Sequence, residues 1–446
     1  MFCQLEVLRH SFPSSVRHIL DGLPEGLDET YERILREIRK PKQAHAHWLL
    51  QSLVAAVRPL RVEELAEVLV FDFNTEGIPK LNVGWRWENQ EEAVMSACSS
   101  LVTIVEDGDS RIVQFSHYSV KEFLTADRLA EPIRDVSRYY IRLGAAHTIL
   151  AQACLGVLLQ LDDSVDRDNI KNFPLARYAA QYWPAHARFE NALSRIKDGM
   201  ERLFDVNKIH FATWLWIFDE DRGGRSMTSW CPERPGASPL YYAAMLGFRG
   251  LAEHLIFKHP EHVNAWGGRE LIPMRIAAFE GHVDILSLLL DHGADRDGQG
   301  INTGPGINTP LYRAADNGKL EAGQFLLDCG ADINSRNGGG ETPLFRAVFR
   351  GDLEFARMLL KRGASVGIPD SSGRTPLHWA VAKGSTLATQ LLLEYGADVN
   401  VRDEKGKTPS EWGSEYGKHE IVKLLSKYSA KSVKYYPLIN STMYLR

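Results

Sequence analysis

The stretch Asp370-Ser371-Ser372-Gly373-Arg374-Thr375-Pro376-Leu377-His378 decides the fold, because the chain repeats it. After it come the small pair Ala380-Val381, Gly384, the run Leu391-Leu392-Leu393 and Gly396-Ala397-Asp398. Ser238-Pro239-Leu240, Ile272-Pro273-Met274, Thr309-Pro310-Leu311, Thr342-Pro343-Leu344 and Thr408-Pro409-Ser410 join Thr375-Pro376-Leu377, and the six prolines stand 34, 37, 33, 33 and 33 residues apart. Other landmarks keep phase with them. Small pairs lie at Ala243-Ala244, Ala277-Ala278, Ala314-Ala315 and Ala347-Val348, followed by Gly247, Gly281, Gly318, Gly351 and Gly417. Leu288-Leu289-Leu290, Phe325-Leu326-Leu327 and Met358-Leu359-Leu360 come next, and Gly293-Ala294-Asp295, Gly330-Ala331-Asp332 and Gly363-Ala364-Ser365 close three further units.

Each landmark has a mechanical reason. Proline suits the first turn of a helix, where its ring torsion is already set and no hydrogen bond is lost, and the preceding threonine can cap. The small pair lets helices of adjacent units approach closely. A glycine leaves the first helix in a left-handed conformation, the leucines form the apolar stripe of a second helix, and another glycine ends it before an outward hairpin finger.

Period and motif together resemble the ankyrin repeat, with six units over residues 237–430 and a tail over 431–446. The resemblance implies an α-solenoid with β-hairpin fingers that binds other macromolecules. Both ends depart from the pattern: His259-Pro260-Glu261-His262 replaces Gly-Ala-Asp in the first unit, and Trp412-Gly413 replaces the small pair in the last. These read as caps that shield the ends of the stack. The 37-residue interval holds Gly298, Gly300, Gly304, Pro305 and Gly306, an enlarged finger that either touches a partner or is a tolerated surface insertion.

Upstream, a helix begins near Asp28, a candidate cap, with Leu27, Tyr31, Ile34 and Leu35 on one face. A second helix covers 46–57, Pro59 resets the chain, and a third spans 62–70 with Val62, Leu65, Ala66 and Leu69 in a stripe. The β-rich runs 101–105 and 112–115 flank Glu106-Asp107-Gly108-Asp109-Ser110 as a hairpin. Helices with a hairpin make a winged helix.

The motifs Leu23-Pro24 through Tyr31-Glu32-Arg33-Ile34-Leu35, Arg58-Pro59-Leu60 with Glu63-Glu64-Leu65-Ala66, Cys98-Ser99-Ser100-Leu101-Val102 and Phe115-Ser116-His117-Tyr118-Ser119-Val120-Lys121-Glu122-Phe123-Leu124 resemble fungal NACHT and ankyrin-repeat proteins. In that family this segment follows the nucleotide-binding domain of a signal-transducing NTPase, and the repeats act as its sensor arm. Phe173 to Pro184 resembles the family's linker. The implied organisation is a helical tail of a NACHT-like module over 1–42, a winged-helix-like domain over 43–130 and a helical linker over 131–236. The linker carries the stripe Leu143, Ala146, Ile149 and Leu150, then Leu155, Leu158 and Leu159, with a hinge over 219–238. The fold class is mostly α.

A phosphate-cradling loop needs Gly-x-x-x-x-Gly-Lys-Ser/Thr, so that backbone amides reach the phosphates. The nearest approach is Gly406-Lys407-Thr408, which has Val401 where the first glycine belongs and lies in a repeat finger. No NACHT phosphate loop is therefore expected, no cofactor is assigned, and the chain is not expected to be an enzyme. Ser116, His117 and Ser119 lack an orienting acid. His254, His259 and His262 lack the Cys or carboxylate partners of a metal site, and Glu63-Glu64 and Glu91-Glu92 read as solvated faces. DNA binding is disfavoured because the groove-facing helix at 88–99 carries Glu88, Glu91 and Glu92 without Lys or Arg, and the wing adds Glu106, Asp107 and Asp109.

Across the 446 residues the net charge of −5 gives no general attraction for nucleic acid or acidic lipid. Cys3, Cys98, Cys154, Cys231 and Cys329 form no zinc spacing or disulfide framework. Neither a secretory leader nor a span of eighteen or so apolar residues is visible, so the default compartment is the cytoplasm, with no membrane partner.

A protein partner is expected on the concave face of the array, at finger tips and the exposed side of each first helix. By phase these are Arg313, Asp316, Asn317, Glu341, Arg346, Phe349, Arg350, Ser371, Ser372, Arg374, Lys383, Lys405 and Lys407. Phe349 beside Arg350 is the leading pair, since aromatic and arginine side chains dominate binding hot spots. Arg313 and Arg346 stand one repeat apart at equivalent positions, so either nearby acids or an acidic partner must neutralise them. Self-association through the N-terminal region is a further expectation. So is the alternative that the chain is a truncated or mis-started piece of a NACHT NTPase whose nucleotide-binding domain lies upstream.

Overall fold

The computed structural model describes residues 26–434 except 75–76, 109, 132–134, 163–164, 167, 190–191, 222–237, 266–271 and 299–307. Nearly all of the enlarged finger and of the expected hinge lies outside the described residues. The chain divides into two compact units, the first ending at Pro235 and the second beginning at Gly236.

In the first unit, α1 (Leu27–Glu37), α2 (Gln43–Ala55), α3 (Val62–Val68) and α4 (Gln90–Cys98) precede a hairpin of β2 (Val102–Asp107) and β3 (Ser110–Phe115), then α5 (Tyr118–Thr125). A short strand, β1 (Leu60–Arg61), pairs with β3 through Leu60 opposite Val113, which gives an antiparallel sheet in the order β1-β3-β2. This is the expected winged helix, with a third strand too short for periodicity to reveal. Tyr31, Ile34 and Leu35 are buried as the stripe requires, while Leu27 is exposed. Asp28 does not cap α1. Gly26 holds that position, and Asp28 sits in the first turn and pairs with Arg128 at 2.7 Å.

Glu64 corrects the reading of Glu63-Glu64 as a solvated pair. Its side chain is 2% exposed, because Arg58 grips both carboxylate oxygens at 2.7 and 2.8 Å and the Arg61 amide donates to it at 2.8 Å. A buried carboxylate is tolerable only when its lone pairs are filled in this way.

Four helices follow: α6 (Leu143–Leu158), α7 (Ala176–Ala187), α8 (Ala192–Leu203) and α9 (His210–Asp221). Helix α6 is buried on most sides rather than along one stripe, although Leu143 at its start is exposed. Trp183, Phe204 and Trp214 meet edge-on or tilted at 5.3 to 6.1 Å, and the Trp214 indole donates to the Ala180 carbonyl at 3.0 Å. A buried polar chain crosses this core. The Val57 amide donates to the Tyr178 hydroxyl at 3.1 Å, that hydroxyl meets His186 Nε2 at 2.9 Å, and His186 Nδ1 meets His147 Nδ1 at 2.9 Å.

The second unit consists of six helix pairs: α10 (Pro239–Leu246) with α11 (Arg249–Lys258), α12 (Pro273–Glu280) with α13 (Val283–Asp291), α14 (Pro310–Asp316) with α15 (Leu320–Asp328), α16 (Pro343–Arg350) with α17 (Leu353–Lys361), α18 (Pro376–Lys383) with α19 (Thr386–Glu394), and α20 (Pro409–Glu415) with α21 (His419–Lys434). Each first helix opens on its proline. The side chains of Ser238, Thr309, Thr342 and Thr408 accept the amide three residues on, and Thr375 with His378 forms a capping box. The fingers at Asn337, Asp370 and Asp403 are hairpin turns, each closed by two backbone bonds such as Asp370 N to Arg374 O at 2.8 Å and Gly373 N to Asp370 O at 3.0 Å, and none of them forms a strand. Asp370 and Asp403 set these turns by accepting amides within their own loops. Neighbouring fingers are stitched together: Ser371 N donates to Gly339 O at 2.7 Å and Glu404 N to Ser372 O at 3.1 Å.

The atypical ends have physical reasons. A short 3₁₀ turn, Pro260–Asn264, stands where the first unit lacks Gly-Ala-Asp. In the last unit Gly413 takes the place of a small residue, since a methyl group there would lie 2.7 Å from Val422 Cγ2.

Two predictions follow from this packing. Burial drives His186 down to about 3, with neighbouring His147 contributing, so the folded first unit excludes a proton that the unfolded chain accepts below about 6.5. Acidification from about pH 7 to 5 should weaken this unit by up to ~1.4 kcal/mol per pH unit, and His186→Gln should flatten that slope even as it lowers stability. Denaturant titrations at several pH values check this; a slope unchanged in the variant contradicts it. In the fingers, Gly373 (φ +73°) and Gly406 (φ +74°) share a left-handed phase, but a methyl group on Gly373 would meet Glu404 N at 2.9 Å whereas Gly406 faces nothing within 4 Å. Gly373→Ala should therefore cost ~1–3 kcal/mol more than Gly406→Ala in urea unfolding. Equal costs would contradict finger-to-finger packing.

Candidate protein-binding face of the repeats

The first helices of the repeats lie side by side, so residues at one distance from the repeat proline form a column. The third residue after the proline runs Arg313, Arg346, Trp379, Trp412 along α14, α16, α18 and α20, the sixth includes Asp316 and Phe349, and the seventh Asn317, Arg350, Lys383 and Tyr416.

Arg313 and Arg346 share one carboxylate. Asp316 lies 3.6 Å from Arg313 and 2.7 Å from Arg346, and the charge of Glu341 also acts on Arg346, so nearby acids answer the two arginines. Burial alone would lower the Arg346 guanidinium, but its bond to Asp316 and the charges of Asp316, Tyr312 and Glu341 together outweigh this and hold it above the ordinary value. Glu341 accepts the Tyr312 hydroxyl and the Asn337 amide, the latter at 3.1 Å. Burial first, and Glu341 second, push that hydroxyl up.

Phe349 is half-buried. Lys383 Nζ stands 4.3 Å from its centroid and the Arg346 guanidinium 5.3 Å, while Trp379 meets it edge-on at 5.0 Å. Trp379 continues the aromatic line to Trp412 at 5.9 Å, and Trp412 to Tyr416 at 5.8 Å. Arg374 is held at 2.7 Å by Asp370 and lies 5.0 Å from the Trp379 ring. Arg350, Lys383 and Lys405 are exposed.

Other residues expected here have structural work. Asn317 donates to the Phe279 carbonyl of the preceding repeat at 2.8 Å. Ser371 and Ser372 act through their backbones in the finger stack. Lys407 reaches Glu415 at 2.5 Å, and Thr408 caps α20, so Gly406-Lys407-Thr408 is a turn and a cap. Trp379 and Trp412 escaped the sequence reading as partner candidates, although they occupy the column of Arg313 and Arg346.

Elsewhere, His117 caps α5 and lies 2.6 Å from Ser119 Oγ, which also meets Tyr31 at 2.8 Å. Ser116 donates to the Ser100 carbonyl at 2.9 Å. His259 and His262 stack at 5.1 Å, with Glu261 at 3.3 and 4.0 Å. Among the described residues no three or more His, Cys, Asp or Glu gather as a metal site, and no described helix is long and apolar enough to cross a membrane. In the winged helix, α4 presents Glu91 to Arg111 of β3 at 2.6 Å, so an acid engages the arginine of the described hairpin.

Fold and face define a repeat protein joined to a winged-helix domain. Residues 240–337, 301–370 and 344–435 match the family model of ankyrin repeats, and residues 31–133 that of the GPI inositol-deacylase winged helix domain. The chain is 32% identical over 293 residues to azaphilone pigments biosynthesis cluster protein L of Monascus ruber, covering 62% of this chain and 61% of that protein. It is 30% identical over 229 residues to vegetative incompatibility protein HET-E-1 of Podospora anserina, covering 45% of this chain and 16% of that protein. Over 97 residues it is 33% identical to ankyrin repeat and SAM domain-containing protein 6 of Mus musculus, covering 22% and 11%. The chain thus spans about three fifths of the first of these relatives and far less of the other two.

Asp316 carries the electrostatics of this face. Its side chain is 14% exposed between two arginines that are 24% and 25% exposed. Asp316→Asn should destabilise the repeats by ~1–3 kcal/mol, because two like charges lose their shared partner, and Arg346→Met in the same chain should recover much of the loss. A double-mutant cycle on urea unfolding checks this; additive losses would contradict a shared ion pair.

Proposed function

We propose that this chain is a protein-recognition and signal-transducing arm of a NACHT-type system. Ankyrin repeats support protein binding, and the winged-helix match together with the HET-E-1 likeness supports the NACHT connection. The observation that carries the recognition half is the aromatic line Phe349, Trp379, Trp412, flanked by exposed Arg350 and Lys383. Aromatic rings and arginine on a rigid scaffold give large contact area at small entropic cost, the composition of binding hot spots. In this reading, capture of a partner on the repeats biases the winged-helix unit, which passes the signal to a nucleotide-binding domain. The chain itself binds and catalyses no reaction.

A second reading is that the nucleotide-binding domain belongs to the same polypeptide. The HET-E-1 alignment, which covers 16% of that protein, favours it. An in-frame phosphate-binding loop in the coding DNA upstream of Met1 would establish this reading; its absence would leave the domain to a separate chain.

Pulldown with the full chain tests the recognition half. Changing Phe349 and Arg350 together to alanine should reduce recovery of the specific partner by about tenfold or more, the loss of one hot-spot contribution. Unchanged recovery contradicts the assignment of the face, and ATP hydrolysis by the purified chain contradicts the purely binding role.

A further inference from the structure

The charge of this face opposes the charge of the chain. The protein carries a net −5. Along α14, α16 and α18 and the fingers 332–342 and 365–375, however, Arg313, Arg336, Arg346, Arg350, Arg374 and Lys383 stand against Asp316, Asp332, Glu341 and Asp370, an excess of two cations. The pairing identifies which cations are in excess. Arg313 and Arg346 divide Asp316, and Arg374 has Asp370. Arg350 and Lys383 are exposed and meet no carboxylate among the described residues.

Lys383 is also held in place. Its ammonium rests 4.3 Å from the Phe349 centroid, and a ring quadrupole orders a cation without cancelling its charge. Part of the entropy that an anion would otherwise have to remove from a free lysine is already gone. Arg350 occupies the same phase one repeat earlier, so the backbones that carry the two cations lie roughly 10 Å apart, the spacing of packed helices. Phe349, on which Lys383 rests, meets Trp379 edge-on, and the Trp379 indole N–H has no acceptor among the described residues.

We propose that this face binds an acidic segment of a partner protein, with carboxylates reaching Arg350 and Lys383 and an adjacent large apolar side chain packing on Phe349 and Trp379. The proposal rests on the protein-binding reading and adds the chemistry of the partner. A polyanion fits poorly. Asp316, Glu341 and Asp370 interrupt the cations, and the next repeat sets Asp403, Glu404, Glu411 and Glu415 against Arg402, Lys405 and Lys407, so a continuous row of phosphates would meet acids among the cations and beyond them. A short acidic segment places charge only where the excess lies.

Selection of random displayed peptides on the full chain tests this. Peptides enriched on the wild type should carry net negative charge with an aromatic or branched apolar residue beside an acid. They should weaken as salt rises, and lose about tenfold or more in affinity to Arg350→Glu/Lys383→Glu, two exposed changes whose folding circular dichroism verifies. Enriched peptides that are neutral or basic, or that bind the double variant equally, overturn the acidic chemistry. If they still depend on Phe349, the protein-binding face survives and only its chemistry fails. Absence of enrichment, or enrichment indifferent to Phe349→Ala, overturns both. A fluorescent single-stranded oligonucleotide bound as tightly, with the same sensitivity to the charge reversal, also overturns the proposal.

Discussion

The close approach of successive first helices is the constraint on which the repeat unit depends. Ala243, Ala244, Ala277, Ala278, Ala314, Ala315, Ala347 and Ala380 have no exposed surface, and larger side chains there would push neighbouring helices apart. One helix pair cannot bury its own apolar side, so each repeat is completed by the next. The same approach aligns the exposed phases of the helices into columns. Arg346, Phe349, Trp379 and Lys383 meet across repeats because the backbones beneath them are close, which makes the proposed binding surface a consequence of the packing rule.

The finger stack acts on a second edge of the array. Asp370 and Asp403 shape their own turns, and the backbones of Ser371 and Glu404 join each turn to the one before. Side-chain identity in the fingers is therefore divided between turn formation and exposure, and Ser371 and Ser372 contribute through their main chains. In the first unit the equivalent role falls to buried polar groups. Glu64 with Arg58 fastens the start of α3 to the segment before it, and the chain from Val57 through Tyr178 to His186 ties the end of α2 to α7.

Much of this was legible in the sequence, and the exceptions have definite causes. Thr-Pro, the small pairs and the phased glycines gave the repeats because each answers to local backbone geometry. Strand β1 was not visible, since two residues carry no periodicity and only pairing with β3 defines them. Arg275 was not singled out either. It stands in the phase of buried Tyr241, Tyr312, Phe345 and His378, is 1% exposed, and is pushed down to about 10 by that burial. Glu64 looked solvated because adjacency in sequence says nothing of Arg58 folding back over it. Of the face, phase placed the individual residues but not their partners. The sharing of Asp316 and the seating of Lys383 on Phe349 are contacts between repeats, and Trp379 passed unnoticed because an aromatic residue at helical spacing reads as core.

Recognition on the first-helix side of the array is the central claim, and site-specific photocrosslinking compares the two sides directly. A photoreactive residue at position 350 on α16, and in a second preparation at exposed position 357 on α17, would be activated in extract from cells that make this protein. The account predicts a discrete protein adduct from position 350, abolished when Phe349 is also alanine, and none of that species from position 357. The same adduct from both positions, or from 357 alone, would contradict it.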